Sequence, residues 1–110
     1  MLSLSLLLLL TPVPDATPDR CRAAAEHLAQ VLPVVRQMLN DDAAKESRGE
    51  KPDNDAAMRA NIEKNVRDDE ARIATIRKRY PNVVPSDAAV DEMKDAEVSV
   101  VVDLVHTCAA

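Results

Sequence analysis

The fold of this chain is decided by residues 98 to 108, Val-Ser-Val-Val-Val-Asp-Leu-Val-His-Thr-Cys, the most apolar run outside the N-terminus. Its valines favour a β-strand, but that preference is weak. Its polar residues Ser99, Asp103 and His106 recur at the i, i+4 and i+7 spacing that puts them on one side of a helix. Nowhere else does the chain offer a clear alternating or β-branched run that could pair with a strand. The pattern therefore predicts that the run is the second half of a C-terminal helix.

On a helical wheel, the apolar residues of this run fill an arc of about 200°, much wider than the stripe of an ordinary surface helix. Neighbouring helices must therefore cover both of its flanks. The composition agrees, because the chain has no Trp or Phe, one Tyr and one Gly. A core of small aliphatic side chains suits close helix packing, whereas β-rich folds need more glycines in their turns. A chain of 110 residues is long enough for one small domain.

The first helix is predicted to begin at Thr17, a hydroxyl cap followed by Pro18 at the first helical position. Its apolar residues keep helical spacing to about Asn40. Cys21 falls on this apolar face and is expected in the core. Pro33 lies inside the pattern, where it removes one backbone hydrogen bond, so we expect it to kink or split the helix.

Three further segments complete the predicted bundle. Asp41 to Asn54 is charged and lacks large apolar residues, which predicts a solvated connection. The second helix is expected to begin after a cap at Asp53 or Asp55 and to end at Tyr80. Ser86 is the expected cap of a third helix, which includes the apolar run. The sequence thus predicts an all-α fold, a small three-helix bundle.

The two cysteines, Cys21 and Cys108, lie on apolar faces near opposite ends of the chain and predict one disulfide. Closing a loop of this length stabilises the fold by roughly 4 kcal/mol in the chain-entropy model. In a plain up-down-up bundle, however, the two residues would lie roughly 30 Å apart, whereas a disulfide needs Cα atoms within about 7 Å. We expect either that the Asp41–Asn54 connection crosses over, so that the first two helices run parallel, or that the first helix breaks sharply at Pro33.

Residues 1–16 are predicted to be a signal peptide, because Leu2 to Leu10 is an apolar run too short to span a bilayer, and cleavage after Ala16 would follow. Two features fit poorly, since no Lys or Arg precedes the run and Pro14 stands where a small residue is preferred. An uncleaved, disordered N-terminal tail is the alternative. The expected mature chain is a single helical domain, residues 17–110, which is periplasmic or secreted and has no stable membrane anchor once the leader is removed.

The sequence holds no combination of residues that predicts catalysis or a cofactor. Ser99, Asp103 and His106 have the residue types of a hydrolytic triad, but on one helix face they lack oxyanion donors and a cleft, so we expect a solvated face. The cysteines and histidines are spaced wrongly for zinc, and no metal site is predicted. The chain is therefore not expected to be an enzyme. Its formal charge of −5 disfavours nucleic acid as a partner.

Asp69 is a lone polar residue in the apolar stripe of the second helix. Such a residue in a helix seam can fix the register of packing, or it can mark a functional pocket. Register is the expected role. The alternative, a small enzyme or ligand-binding protein with a site near Asp69, requires Asp69 and His106 to meet in one cavity.

We expect the protein to act by protein–protein interaction through the broad apolar side of the C-terminal helix. Val98, Val102 and Val105 line one edge of that side at i, i+4 and i+7, and the alanine-rich first helix fills little volume against it. Exposed apolar patches on small proteins mark interaction sites. The expected partner is another polypeptide or a second copy of the chain. The alternative role is that of a periplasmic stress or chaperone-like protein, in which acidification would expose apolar surface.

Overall fold

The computed structural model describes residues 14–110, and every regular element in them is an α-helix. The predicted all-α class and single disulfide are confirmed, but the described residues form four helices rather than three. The helices are α1 (Pro18–Ser47), α2 (Ala56–Arg79), α3 (Asp87–Asp95) and α4 (Val98–Ala109). The predicted signal peptide lies outside the described residues except for its last three.

Three of these helices begin at the caps that the sequence predicts. The side chains of Thr17, Asp55 and Ser86 each accept a hydrogen bond from the backbone amide three residues further on. The donor–acceptor distances are 3.3, 2.8 and 3.1 Å in that order. These bonds satisfy amides that the first turn of a helix leaves unpaired. Helix α4 differs, because Glu97 at its cap position makes no such side-chain bond.

Helix α1 is longer than the sequence predicts, because it runs on through Pro33 and into the segment expected to be a solvated connection. Pro33 is exposed to solvent. A proline there costs one backbone hydrogen bond while the rest of the helix holds, so the expected split is wrong. The helix ends at Ser47, just before Gly49 adopts the left-handed conformation (φ 77°) that glycine tolerates best.

Helices α1 and α2 form an antiparallel hairpin joined by residues 48–55. Arg77, near the end of α2, pairs with Glu26, near the start of α1. Arg36, further along α1, pairs with Glu63, which lies nearer the start of α2. The expected crossover that would make these helices parallel is therefore wrong. A connection this short joins antiparallel neighbours.

The disulfide forms because the predicted third helix is broken into two helices that run in opposite directions. Helix α3 starts beside the start of α1, where the Asp19 carboxylate accepts hydrogen bonds from the amide and hydroxyl of Ser86. The chain turns back at residues 96–97, and α4 returns to the same end of the molecule. The expectation of one continuous third helix is wrong. Its break, rather than a crossover or a split first helix, brings Cys108 to Cys21.

The core lies where all four helices meet, and we call this part of the molecule the closed end. Helix α4 packs against both α1 and α2, so its apolar arc is covered on two sides, as its width requires. Helix α3 packs against α1. The largest fully buried apolar side chains come from all four helices: Leu28, Ile76, Met93, Val101, Leu104 and Val105.

Most of residues 34–62 extends beyond that core, with Val35 and Ile62 packed against it, and we call this segment the arm. It comprises the C-terminal part of α1, the connection and the first residues of α2. Only two side chains in the arm are buried, those of Leu39 and Asp42. The arm is therefore two helices side by side with no third helix to cover them.

Candidate functional site

The predicted disulfide is present and is a structural site. Cys21 and Cys108 are bonded with their Cα atoms 5.7 Å apart, and both side chains are buried. The bond joins the start of α1 to the end of α4. It sits in the core of the closed end, among the residues whose packing it reinforces.

The three valines predicted to form an interaction edge differ in exposure. Val98, at the start of α4, is half exposed, Val102 is partly buried and Val105 is fully buried. Val105 therefore belongs to the core and offers nothing to a partner. Only the N-terminal end of that edge reaches the surface, next to the turn that separates α3 from α4.

Asp69 and His106 meet, as the alternative of a site near Asp69 requires. One carboxylate oxygen of Asp69, Oδ1, lies 3.3 Å from His106 Nε2 and accepts a hydrogen bond from Arg72 at 3.0 Å. A depression of about 330 Å³ opens beside them, bordered by Val102 and by polar side chains of α2 that include Asn65. The contact joins α2 to α4.

The groups that border this depression, an imidazole, carboxylates, a guanidinium and an amide, can form hydrogen bonds and ion pairs and can exchange protons. Its border contains no hydroxyl or thiol group that could act as a nucleophile. Ser99 and Asp103, the other members of the triad pattern, are exposed. Within residues 14–110 no cluster of His, Cys, Asp and Glu is arranged to hold a metal ion. The contact between Asp69 and His106 fits the register role and also meets the condition set for a site near Asp69, so both roles stay predictions.

The exposed large apolar side chains of the described residues lie mainly in or beside the arm. Val34 and Met38 belong to α1, Met58 to α2, and Val98 begins α4. Val84, in the connection before α3, is the exception. The sequence places Met38 and Met58 in apolar stripes, and both stripes extend beyond the helices that cover them.

Val34 and Met38 continue a face of α1 that is covered in the closed end. There, Val90 and Lys94 of α3 border a small cavity together with Ala23, His27 and Gln30 of α1. Val34 and Met38 follow Gln30 at intervals of four residues, so they lie on the same face of α1. Helix α3 has only nine residues and ends before it reaches them.

We call this uncovered continuation the arm face and define it by four residues: Val34, Met38, Asp41 and Lys45. A depression of about 500 Å³ opens on it, and Arg48 and Asp53 complete its charged border. The charges along this border are of both signs, with the carboxylates of Asp41, Asp42 and Asp53 beside the cations Lys45 and Arg48. The arm face is thus an apolar pair of side chains surrounded by both signs of charge.

Asp42 fixes the tip of the arm. Its carboxylate accepts hydrogen bonds from the backbone amides of Asp53 and Asn54, at 3.0 and 3.2 Å, and from the Asn54 side chain at 3.0 Å. These bonds, that of the Asn54 side chain above all, hold the pKa of Asp42 below its ordinary value. The sequence interpretation missed this residue. The signal was its phase, because Asp42 follows Leu39 by three residues and so continues the apolar stripe of α1.

Ion pairs hold the two helices of the arm together. Arg59 on α2 pairs with Glu46 on α1 at 3.0 Å, and Arg36 on α1 pairs with Glu70 and Glu63 on α2 at 2.5 and 2.8 Å. These carboxylates raise the pKa of each arginine, with Glu46 as the main cause for Arg59 and Glu70 for Arg36. These ion pairs join α1 to α2 within the arm and at its base.

No protein-family model matches this chain, and no curated protein or solved structure matches it either. None of the helices formed by residues 14–110 is long and apolar enough to cross a membrane. Any role proposed for the chain therefore rests on its own residues and their geometry.

Proposed function

We propose that this is an exported helical protein that acts by protein–protein interaction, with the arm face as its binding surface. One observation carries the proposal: Val34 and Met38, 69 % and 42 % exposed, lie on the face of α1 that α3 covers in the closed end. A face that is covered by a helix along half of its length is shaped to accept a helix along the rest. Apolar side chains left bare on such a face favour association.

The rigidity of the arm supports this proposal. Asp42 holds the connecting segment, and Arg36 and Arg59 tie α1 to α2 across the width of the arm. A surface that is already ordered loses little conformational entropy when it binds. Met38 adds an unbranched, polarizable side chain, which adapts to different apolar contacts.

Export is proposed on two grounds. The disulfide is buried in the core, and disulfides of this kind persist in oxidising compartments. Leu2 to Leu10 also has the composition of a leader. The periplasm or the extracellular medium is the proposed location. Mass spectrometry of exported material without reductant would test this, and two free thiols in that material would contradict it.

A periplasmic stress or chaperone-like role is the second candidate, and Asp42 favours it. The Asp42 carboxylate accepts three hydrogen bonds from residues 53 and 54, so its protonation in acid would loosen the tip of the arm, in which Leu39 is buried. Such a protein would bind unfolded chains at low pH rather than a specific partner at neutral pH. Binding measured at both pH values separates the two roles.

The proposed binding surface can be tested by placing a photo-cross-linking amino acid at Met38 in cells that export the chain. We expect discrete covalent adducts with polypeptides, because a partner seated on the arm face would lie within reach of that side chain. Ala74 is the matched control, since it is exposed on α2 in the closed end, away from the arm. Absence of adducts at Met38 and at Val34 would contradict the proposal, as would equal labelling at Ala74.

A further inference from the structure

We infer that the arm face binds a basic amphipathic helix, one with apolar side chains along one side and Lys or Arg beside them. This inference rests on the proposed function and names the chemistry of the partner. It follows from three features: the helical spacing of the bare positions, the excess of carboxylates in the two segments at the ends of the face, and an exposed carboxylate on the face itself.

The spacing of the bare positions fits a helix. Val34, Met38, Asp41 and Lys45 follow one another at intervals of three or four residues, the spacing at which one helix packs along another. In the closed end the same face of α1 lies against α3, which is itself a helix. The bare stretch from Val34 to Lys45 is roughly 17 Å long, about three turns, so a short amphipathic helix would continue the layer that α3 begins.

The two segments at the ends of the arm face hold the negative charge of the chain. Residues 41–55, the tip of the arm, contain six carboxylates and three Lys or Arg residues. Residues 87–97, which are α3 and the turn after it, contain five carboxylates and one lysine. The rest of the chain contains eight carboxylates and ten Lys or Arg residues, so the excess of carboxylates is confined to the two ends of the face.

Ion pairs with the rest of the molecule remove only part of this excess. Two of these carboxylates pair with an arginine from elsewhere in the chain, Glu46 with Arg59 and Glu92 with Arg20. The other ion pairs of the tip join groups within it and leave its net charge unchanged. Among the described residues, the two segments therefore keep five more carboxylates than there are cations to balance them.

Asp41 brings this negative charge onto the face itself. It is exposed and lies one turn from Met38, and its carboxylate accepts a hydrogen bond from the Gln37 side chain at 2.9 Å. Because the Gln37 amide is neutral, that bond leaves the charge of Asp41 to be balanced by a partner. A Lys or Arg beside the apolar residues of a bound helix would pair with Asp41 when those residues pack on Val34 and Met38.

The same charges disfavour other partners. A second copy of the chain would bring one acidic segment against another, whichever way the two arms ran, and like charges across an interface repel. An acidic helix or a nucleic acid would meet the same repulsion. The C-terminal end of α3 adds partial negative charge where the bare face begins. A basic helix is attracted to both ends of the face.

Binding of synthetic peptides to the oxidised chain tests the inference. The probe is a peptide of about 18 residues, roughly five turns of helix, with leucines at helical spacing and lysines elsewhere. One control peptide has glutamate in place of every lysine, and the other has the same leucines and lysines in scrambled order. We expect the lysine peptide to bind, as measured by fluorescence anisotropy, and both controls to bind at least about tenfold more weakly.

Two pairs of protein variants locate the site. Met38→Lys should weaken binding of the lysine peptide at least about tenfold, whereas Val84→Lys, at an exposed valine outside the arm, should change it less than about twofold. Asp41→Lys should also weaken it about tenfold, whereas Asp103→Lys, at an exposed aspartate of α4, should not. Each control changes the net charge as much as its partner variant does. All four positions are exposed, so each variant should keep the helical circular dichroism of the wild type.

The outcomes separate this inference from the proposed function. A lysine peptide that does not bind, or binds no better than the glutamate or scrambled peptide, overturns the basic helix as partner. Equal losses in a variant and its control overturn the arm face as the site, because net charge alone would then explain binding. A dimer in sedimentation velocity that Met38→Lys abolishes makes a second copy the occupant and also overturns the inference. If the peptide fails but Met38 still cross-links to other polypeptides in cells, the proposed function stands and only the chemistry of its partner changes. If neither is seen, both fail.

Discussion

The closed end and the arm are built from the same two long helices, yet different forces hold them. In the closed end, α1 and α2 bury their apolar stripes under α3 and α4, and a disulfide joins the first helix to the last. In the arm the same stripes continue, but their cover is missing, and ion pairs and the Asp42 carboxylate hold the helices instead. An amphipathic stripe thus shows which side of a helix faces a neighbour, while the length of that neighbour decides whether the stripe becomes core or surface.

Removal of the disulfide should have the largest effect. In a Cys21→Ala/Cys108→Ala double variant, we expect the free energy of unfolding to fall by about 4 kcal/mol, because the unfolded chain regains the entropy of an open loop. Urea denaturation followed by circular dichroism measures it. A change below about 1 kcal/mol would mean that the closed end is held by packing alone, and the contrast with the arm would weaken.

The next largest effect should come from truncating one leucine in each region, and the loss of stability should be greater in the closed end than in the arm. We expect Leu104→Ala, in the closed end, to lower the free energy of unfolding by about 3 kcal/mol, because it leaves a cavity among packed helices. Leu39→Ala in the arm should lower it by roughly half as much, because the site borders solvent and can collapse. Equal losses from the two variants would show that the arm is packed as tightly as the core.

Acid should act on both regions through carboxylates whose pKa is lowered in the folded chain. The pKa of Asp42 is lowered by Asn54, that of Asp19 by Ser86, and that of Glu26 by Arg77. A lowered folded pKa contributes stability that is present above the ordinary value and is lost as pH falls through the folded value. We therefore expect melting temperature to be steady near neutral pH and to fall by several degrees below about pH 4.

The binding of an apolar dye across the same pH range shows which region opens. The disulfide keeps the closed end together, so dye binding should rise first from the arm as Asp42 is protonated. Asp42→Asn should bind dye at about pH 7, whereas the wild type should bind it only in acid, because the pKa of Asp42 lies below its ordinary value. Asp41→Asn, at an exposed position, should not bind dye at about pH 7. Dye binding that begins above about pH 5 would point to groups other than these carboxylates.

The smallest effect should come from a single ion pair in the closed end. Glu26→Gln removes the two-pronged contact with Arg77 and a looser pair with Arg22 at 3.7 Å, and the side chains of Glu26 and Arg77 are both partly exposed. We expect a loss of less than about 1 kcal/mol, and a smaller one at about 1 M salt, because water and ions screen exposed pairs. Arg36→Gln, at the base of the arm, should show the same sensitivity to salt. A loss that salt does not reduce would indicate that packing, rather than charge, was removed.

Much of the fold follows from local signals in the sequence. Thr17, Asp55 and Ser86 cap helices as predicted, because a short polar side chain before an apolar period satisfies the first amides wherever the helix lies. The run from Val98 is helical, since polar residues at helical spacing outweighed valine propensity. Cys21 and Cys108 are bonded because both lie on apolar faces.

The direction of the helices could not be predicted in the same way. The break after Asp95 contains no Gly or Pro, so no residue marks it. Its trace is a change of phase, because the mean direction of the buried positions Ala89 and Met93 lies roughly 70° away from that of Val101 and Leu104 on one continuous wheel. Asp42 was missed for a related reason: its burial depends on Asn54 folding back over it, which the pattern of a single helix does not contain.

The return of α4 to the start of α1 also determines how the molecule carries mechanical load. Residues 17 and 109 lie just outside the loop that the bond between Cys21 and Cys108 closes. Tension applied between the two ends of the chain would pass through that link and leave residues 22–107 slack. The arm lies within residues 22–107 and is therefore isolated from any pull on the two ends of the chain.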